Sequence, residues 1–444
     1  MSGGSHINPA RSTMNRDRRN FLAFLGEAIC FGMSMTFAGM TTILPAFIGQ
    51  LTSSKIVVGL FTSAVYGAWL LPQLVFANLL TNKRRKKPYM TLGGLLGRPL
   101  ILFYALALVL GLYRKPMLAL ALLFVARVGF MATDALSAVA WFDVLAKAIP
   151  ERRRGRLFGT AQAINGILSI GAGAVIAALL GSKGPRFPLN YAAIFAISGG
   201  FLSLSLVFWS FVVEPEEPVA EERPSWREYV PQLLQTLRSD RAYGQVIVLR
   251  LLAAFDLLAL GFYILFATSW LNLPPATIGV YAAVQTVGGI LGSLGFGAIS
   301  ERGGSHRVIQ VATALNLAVP LIGLLLFLGG ARSGVAIPVI YGLVFLLVGA
   351  VSSSFILGFD NYVLELAPAG QCPTYIGLFN TIGGVLILLP TLGGWLLQKT
   401  SYGVLFGLTA GSLAVAHALS WRLPAKRRSE IYSPPPCRPI SDPL

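Results

Sequence analysis

The chain has 444 residues, of which 55% are hydrophobic and only 12% charged, against roughly 25% charged in an ordinary soluble domain. A water-soluble fold cannot hide that much apolar surface, which excludes an ordinary soluble enzyme. The formal net charge of +17 raises a nucleic-acid reading, and the distribution of the basic residues argues against it.

Apolar stretches of about 20 residues, the length that crosses a bilayer core, recur twelve times. Six lie near 21–47, 56–80, 88–113, 117–146, 157–181 and 190–213. The first follows Arg16, Arg18 and Arg19 and could pass for a signal peptide. Its length and the eleven stretches after it make it an uncleaved first helix. A polar interruption from Glu214 to Gly244 opens with an acidic, proline-containing run. There Trp226, Tyr229, Val230, Leu233, Leu234 and Leu237 recur at helical spacing among Arg227, Arg238 and Arg241. That pattern suits an amphipathic helix lying on the membrane face. Six further stretches follow near 245–271, 276–299, 307–330, 336–363, 374–397 and 402–421. The tail, with Lys426, Arg427, Arg428 and Pro434 to Pro436, reads as a disordered end. The expected fold is an all-α membrane protein: a segment 1–20, a six-helix bundle 21–213, a linker 214–244, a second bundle 245–421 and a tail 422–444.

With the N-terminus placed in the cytoplasm, 25 Lys and Arg fall on the cytoplasmic side, seven on the outer side and three inside spans. This is the positive-inside pattern, and it predicts an inner-membrane protein with both termini cytoplasmic. The charge is therefore a topology signal, and no nucleic-acid partner is expected. Cys30, Cys372 and Cys437 are too few and scattered for a disulfide framework or metal cluster, and His6, His306 and His417 add nothing to a metal case. No phosphate loop, metal-binding helix motif or nucleophile elbow occurs, so neither ATP-driven pumping nor hydrolysis has support.

The two halves repeat one another. Gly297 to Arg307 (Gly-Ala-Ile-Ser-Glu-Arg-Gly-Gly-Ser-His-Arg) stands 220 residues after a worn copy, Ala77 to Lys87. Phe142, Asp143, Pro150 and Gly159 recur as Phe359, Asp360, Pro368 and Gly377 at offsets of 217 to 218. A duplicated membrane bundle places a working site between its copies. Glycines at 166, 171 and 173, and at 288, 289, 292, 295 and 297, are expected to let helices approach closely.

These residues resemble the major facilitator superfamily over nearly the whole chain. The second loop fits that family's G-x-[LI]-x-[DE]-R-x-G-x-x-R signature through Gly297, Glu301, Arg302, Gly304 and Arg307. The first copy departs from it, with Ala77, Thr81, Asn82 and Arg84 at signature positions. Ala148 to Arg156 is similar to the family's turn between spans four and five. The resemblance implies a twelve-helix transporter working by alternating access, each half built from inverted three-helix repeats. It also implies that the signature arginines bond acids at inner helix ends, which makes Asp143 and Asp360 candidate gate latches; static charge for topology is the alternative.

Charges inside a span are costly unless paired or hydrated, so each is a functional candidate. Glu27, Arg98, Arg127, Asp134 and Asp256 stand out, with Arg250 nearer the inner end of span seven. The resemblance places spans one, four, seven and ten around a central cavity. Arg127 and Asp134, about 10.5 Å apart along one helix face, are expected to shape the substrate site with Trp141 and Tyr263. An internal ion pair of Arg127 with Asp134 or Asp256 is the competing reading. Asp256 and Glu27 are the expected proton-coupling carboxyls. Glu27 and Arg250 are expected to face the inner vestibule and could pair across the halves, whereas Arg98 is assigned to a structural bond. Asp143, Asp360, Gly297, Glu301, Arg302, Arg307 and Arg250 form the expected gate. Apolar and aromatic walls (Phe31, Met33, Met35, Phe37, Phe255) favour an amphipathic solute. The family's antiporter motif is absent from span five, with a partial echo at Pro390 to Gly394. The expected function is proton-coupled efflux by a monomer in the bilayer, with no metal or organic cofactor. Proton-coupled uptake of a sugar or organic acid is the alternative within transport, and a lipid scramblase or membrane sensor the alternative outside it.

Overall fold

The computed structural model describes residues 9–80, 83–215, 241–330, 334, 336–367, 375, 379 and 382–424. The expected amphipathic linker helix, the tail, and the repeat positions Thr81, Asn82, Pro368 and Gly377 lie outside the described residues. Among the described residues twelve helices are long and apolar enough to cross a membrane: α1 (Arg16–Phe37), α2 (Lys55–Leu80), α3 (Lys87–Val109), α4 (Pro116–Ala148), α5 (Arg153–Leu180), α6 (Leu189–Ser210), α7 (Ala242–Trp270), α8 (Thr277–Gly303), α9 (Ser305–Leu328), α10 (Ile337–Leu366), α11 (Ile382–Lys399) and α12 (Tyr402–Ser420). No strand occurs among the described residues. In a bilayer every backbone group must be satisfied internally, which a bundle of helices achieves.

The first span is shorter than the sequence suggests. The helix stops at Phe37, and a separate short helix covers Ile43–Leu51. Pro45 supplies the reason: it has no N–H to donate to Thr41, and its ring crowds that carbonyl, so one continuous helix cannot run through both.

The described residues form two compact units, 9–39 with 64–215 and 40–63 with 241–424. In the first unit α1 packs on α5 and α6, and α3 packs on α4 and α6. In the second, α8 packs on α10, and α9 on α10 and α12. Close approach of α8 and α10 depends on glycine. A Cβ at Gly288 would collide with the Leu346 carbonyl, at Gly292 with that of Ala350, and at Gly349 with that of Gln285. Gly171, Gly295 and Gly297 depart from the packing role expected of them, because a Cβ on any of the three meets nothing within 4 Å.

The spans α7 and α10 are irregular near candidate acids. α7 passes through a tight 3-10 turn at Ala254–Asp256 and a π-helical turn at Phe266–Trp270, and α10 has a π-helical turn at Phe355–Asp360. Such turns recur at functional sites in helices. Both here carry or adjoin a candidate acid.

Candidate functional site

The first unit holds a buried charge network centred on Arg98. The helix of α3 breaks at this residue because Pro99 follows it: helical segments cover Lys87–Gly97 and Leu100–Val109. Gly93 and Gly97 let α3 lie against α4, since a Cβ on either would collide with Thr133 or Ser137. That contact brings Arg98 beside Asp134.

The Arg98 guanidinium donates to Glu27 Oε1 at 3.2 Å and to the Ser205 hydroxyl, and lies 3.6 Å from Asp134 Oδ1. Its plane covers the Trp209 indole at 3.9 Å, one turn beyond Ser205 on α6. The second carboxylate oxygen of Glu27 accepts from Trp141 Nε1 at 3.0 Å. Glu27, Arg98, Arg127 and Asp134 are 4%, 2%, 1% and 6% exposed. With all four ionised the cluster is neutral. A multivalent arrangement of this kind is what a buried ion needs, because Coulomb attraction offsets desolvation only when the remaining donors and acceptors are also satisfied.

The structure brings Glu27, Asp134 and Trp141 together as expected candidates, but around Arg98 rather than Arg127. Arg127 interacts electrostatically with Asp134 and covers the Phe130 ring at 5.5 Å. Glu27, considered as a partner for Arg250, has both oxygens engaged within its own bundle. Arg98 makes the structural bond expected of it, and Ser205 and Trp209 are the residues whose place in the network the sequence reading missed. Arg98 carried the signal, as a charge inside a span, and Ser205 with Trp209 shows the spacing of one helix face.

A second set lies in the other unit and is more open. Asp256, Arg250 and Asp360 are each half-buried. Arg250 interacts electrostatically with both Asp256 on its own helix and Asp360 on α10. Asn316 of α9 donates to Asp256 Oδ2 at 3.4 Å, a polar partner that the sequence reading did not single out. Arg250 also covers the Phe379 ring at 5.5 Å. Tyr263 departs from the substrate-lining role expected of it: it is 2% exposed, stacks on Phe406 at 5.3 Å, and offers its carbonyl to the Tyr341 hydroxyl at 2.7 Å. It is part of the aromatic packing of α7, α10 and α12.

The two expected latches differ in their partners. Asp143 of α4 accepts from Lys86, and from Lys147 at 2.7 Å. Glu214, just past α6, accepts from the backbone N–H groups of Lys86 and Lys87 at 2.8 Å each. Asn20 and Val213 exchange hydrogen bonds of 2.9 and 2.8 Å beside them. The worn first copy of the signature therefore ties α3, α4 and α6 together with lysine and backbone donors. Arg154, in the first turn of α5, donates to the carbonyls of Ile149 and Ala146 at 3.0 and 2.6 Å, satisfying the end of α4. In the second copy the outcome differs from expectation. Among the described residues Asp360 makes no ion pair within 4 Å with Arg302 or Arg307, and its cationic neighbour is Arg250. Glu301, Arg302 and Arg307 are exposed, and Glu365 accepts from the Ser305 hydroxyl at 2.6 Å.

Twelve helices of span length and apolarity among the described residues define a polytopic membrane protein. The sequence profile of the Major Facilitator Superfamily matches residues 28–389, and the chain belongs to that superfamily of transporters. Among solved structures it is similar to a bacterial homologue of the iron transporter ferroportin in an inward-facing state (15% identity, 92% of this chain and 98% of the other, TM-score 0.67). It is also similar to the nucleoside transporter NupG (14%, 92% and 99%, 0.62) and to a D-xylose-proton symporter (14%, 91% and 97%, 0.63). At such identities the likeness is one of fold. No curated protein sequence matches the chain.

Proposed function

We propose that the protein is a proton-coupled secondary transporter that exports an amphipathic organic solute, with both termini in the cytoplasm. The observation that carries this reading is the sharing of Arg250 between Asp256 and Asp360. A proton arriving on Asp256 removes its attraction for Arg250 and leaves the guanidinium to the field of Asp360, so protonation is converted into a changed electrostatic balance between α7 and α10. The half-buried setting gives Asp256 access to water for proton exchange. Glu27 is the second coupling carboxyl, with Asp134 and Arg127 closing the charge balance around Arg98.

An organic solute is favoured over a metal ion because the in-span carboxylates are engaged by guanidinium groups. Among the described residues no three His, Cys, Asp or Glu side chains converge. The test uses the full chain in proteoliposomes, with solutes chosen by thermal shift from amphipathic drugs, sugars and organic acids. Accumulation of an amphipathic solute only under an imposed proton gradient is the expected result. Accumulation without a gradient, or lipid equilibration in place of solute movement, overturns the reading.

A further inference from the structure

We infer that the groove between the inner ends of α8, α9 and α12 is a binding site for the headgroup and upper acyl chain of an anionic phospholipid. The groove has a volume of about 800 Å³ and is lined by Arg302, Arg307, Gln310, His417, Trp421 and Leu315 among others. Arg302 and Arg307 are exposed, and among the described residues neither makes an ion pair within 4 Å. Among the described residues no carboxylate lines the groove. Arg307 and Leu315 are eight residues apart on α9, so the groove runs from a cationic mouth about 12 Å down the helix onto an apolar wall. Val311 and Ala314 continue that wall, and Trp421, 66% exposed, stands at the rim with its indole N–H directed to His417 Nε2 at 3.3 Å. Indole side chains favour the depth of the headgroups, and guanidinium groups favour phosphate oxygens.

The duplication supplies an internal comparison. A groove of about 650 Å³ lies at the equivalent place in the first unit, and its Lys87, Thr91 and Leu95 stand 220 residues before Arg307, Val311 and Leu315. That groove carries its own anion: Glu214 lines it, four residues after the end of α6, and accepts from the N–H groups of Lys86 and Lys87. Four residues after the end of α12 stands Pro424, and the residues 421–424 include no acid. The second copy keeps the cations and the apolar wall without the built-in carboxylate, which leaves the anion to be supplied by the bilayer. The chemistry fits a phospholipid rather than free phosphate, because more than half of the lining is the apolar wall that only an acyl chain would cover.

Lipid contact at Trp421 decides the matter. The full chain and its Trp421→Phe variant are placed in vesicles containing either acyl-brominated phosphatidylglycerol in plain phosphatidylcholine or the reverse, at equal bromine content. The difference in fluorescence quenching reports lipid at Trp421. The expected result is about a thirtyfold preference for the anionic lipid, from two arginines at the surface. That preference is lost in an Arg302→Gln/Arg307→Gln double variant, retained in Lys87→Gln, and unaffected by inorganic phosphate. Equal quenching by both lipids, an unchanged preference in the double variant, or displacement by inorganic phosphate overturns the inference. The wild-type comparison stands even if the double variant does not fold.

Discussion

Arg98→Gln is the most informative single change to the first unit. The guanidinium serves Glu27, Asp134 and Ser205 at once, and all three are buried. Glutamine reaches one of them at most, which leaves two carboxylates in an apolar bundle without their shared cation. Breaking a buried pair by removing one partner costs about 3–5 kcal/mol, whereas replacing every charged member together is close to neutral. At about 2–4 °C per kcal/mol for a unit of this size, the single change lowers Tm by roughly 10 °C. The triple variant Glu27→Gln/Arg98→Gln/Asp134→Asn recovers most of that loss. Thermal unfolding of the detergent-purified protein, followed by tryptophan fluorescence, reads both. A triple variant as unstable as the single one, or a single variant unfolding within about 2 °C of wild type, would refute the claim that these charges act as one unit.

Other outcomes follow from the same geometry. Gly349→Val drives a side chain into the Gln285 carbonyl and is expected to cost about 1–3 kcal/mol or more through overpacking, seen as a lower Tm; Gly297→Val, in open space, leaves Tm unchanged. Glu214→Gln removes a charged cap from the first N–H groups of α3 and should cost about 1 kcal/mol, measured the same way. Asp360→Asn removes one of the two acids near Arg250, and single-cysteine probes at the inner end of α10 should change their labelling rate; an unchanged rate makes Asp360 a passive charge.

The fold was legible because bilayer physics leaves few choices. Apolar runs of span length, the basic residues on alternate loops and the repeated loop define twelve helices and their family. The exception at Gly39 to Thr42 turned on Pro45, whose effect four residues upstream is easily missed inside an apolar run. The site was legible only in part. A charge within a span marks itself as a candidate, which singled out Glu27, Asp134 and Asp256, and the structural bond expected of Arg98 is present. Its partners were not legible, because a helix apolar on nearly all sides gives no sign of which face meets which neighbour. Tyr263, expected at a cavity, is aromatic core for the same reason. The signature loops misled in opposite directions. The degenerate copy holds Asp143 through Lys86, since any well-placed cation can serve, while the well-kept copy directs Arg302 and Arg307 to the groove between α8, α9 and α12.

The central claim, that a proton on Asp256 drives solute movement, is tested most directly by Asp256→Asn in proteoliposomes. Asparagine keeps the shape and the Asn316 contact but cannot take up or release a proton. The account predicts that accumulation driven by a proton gradient is abolished while solute counterflow, which needs no net proton movement, continues. Gradient-driven accumulation at the wild-type level would contradict it.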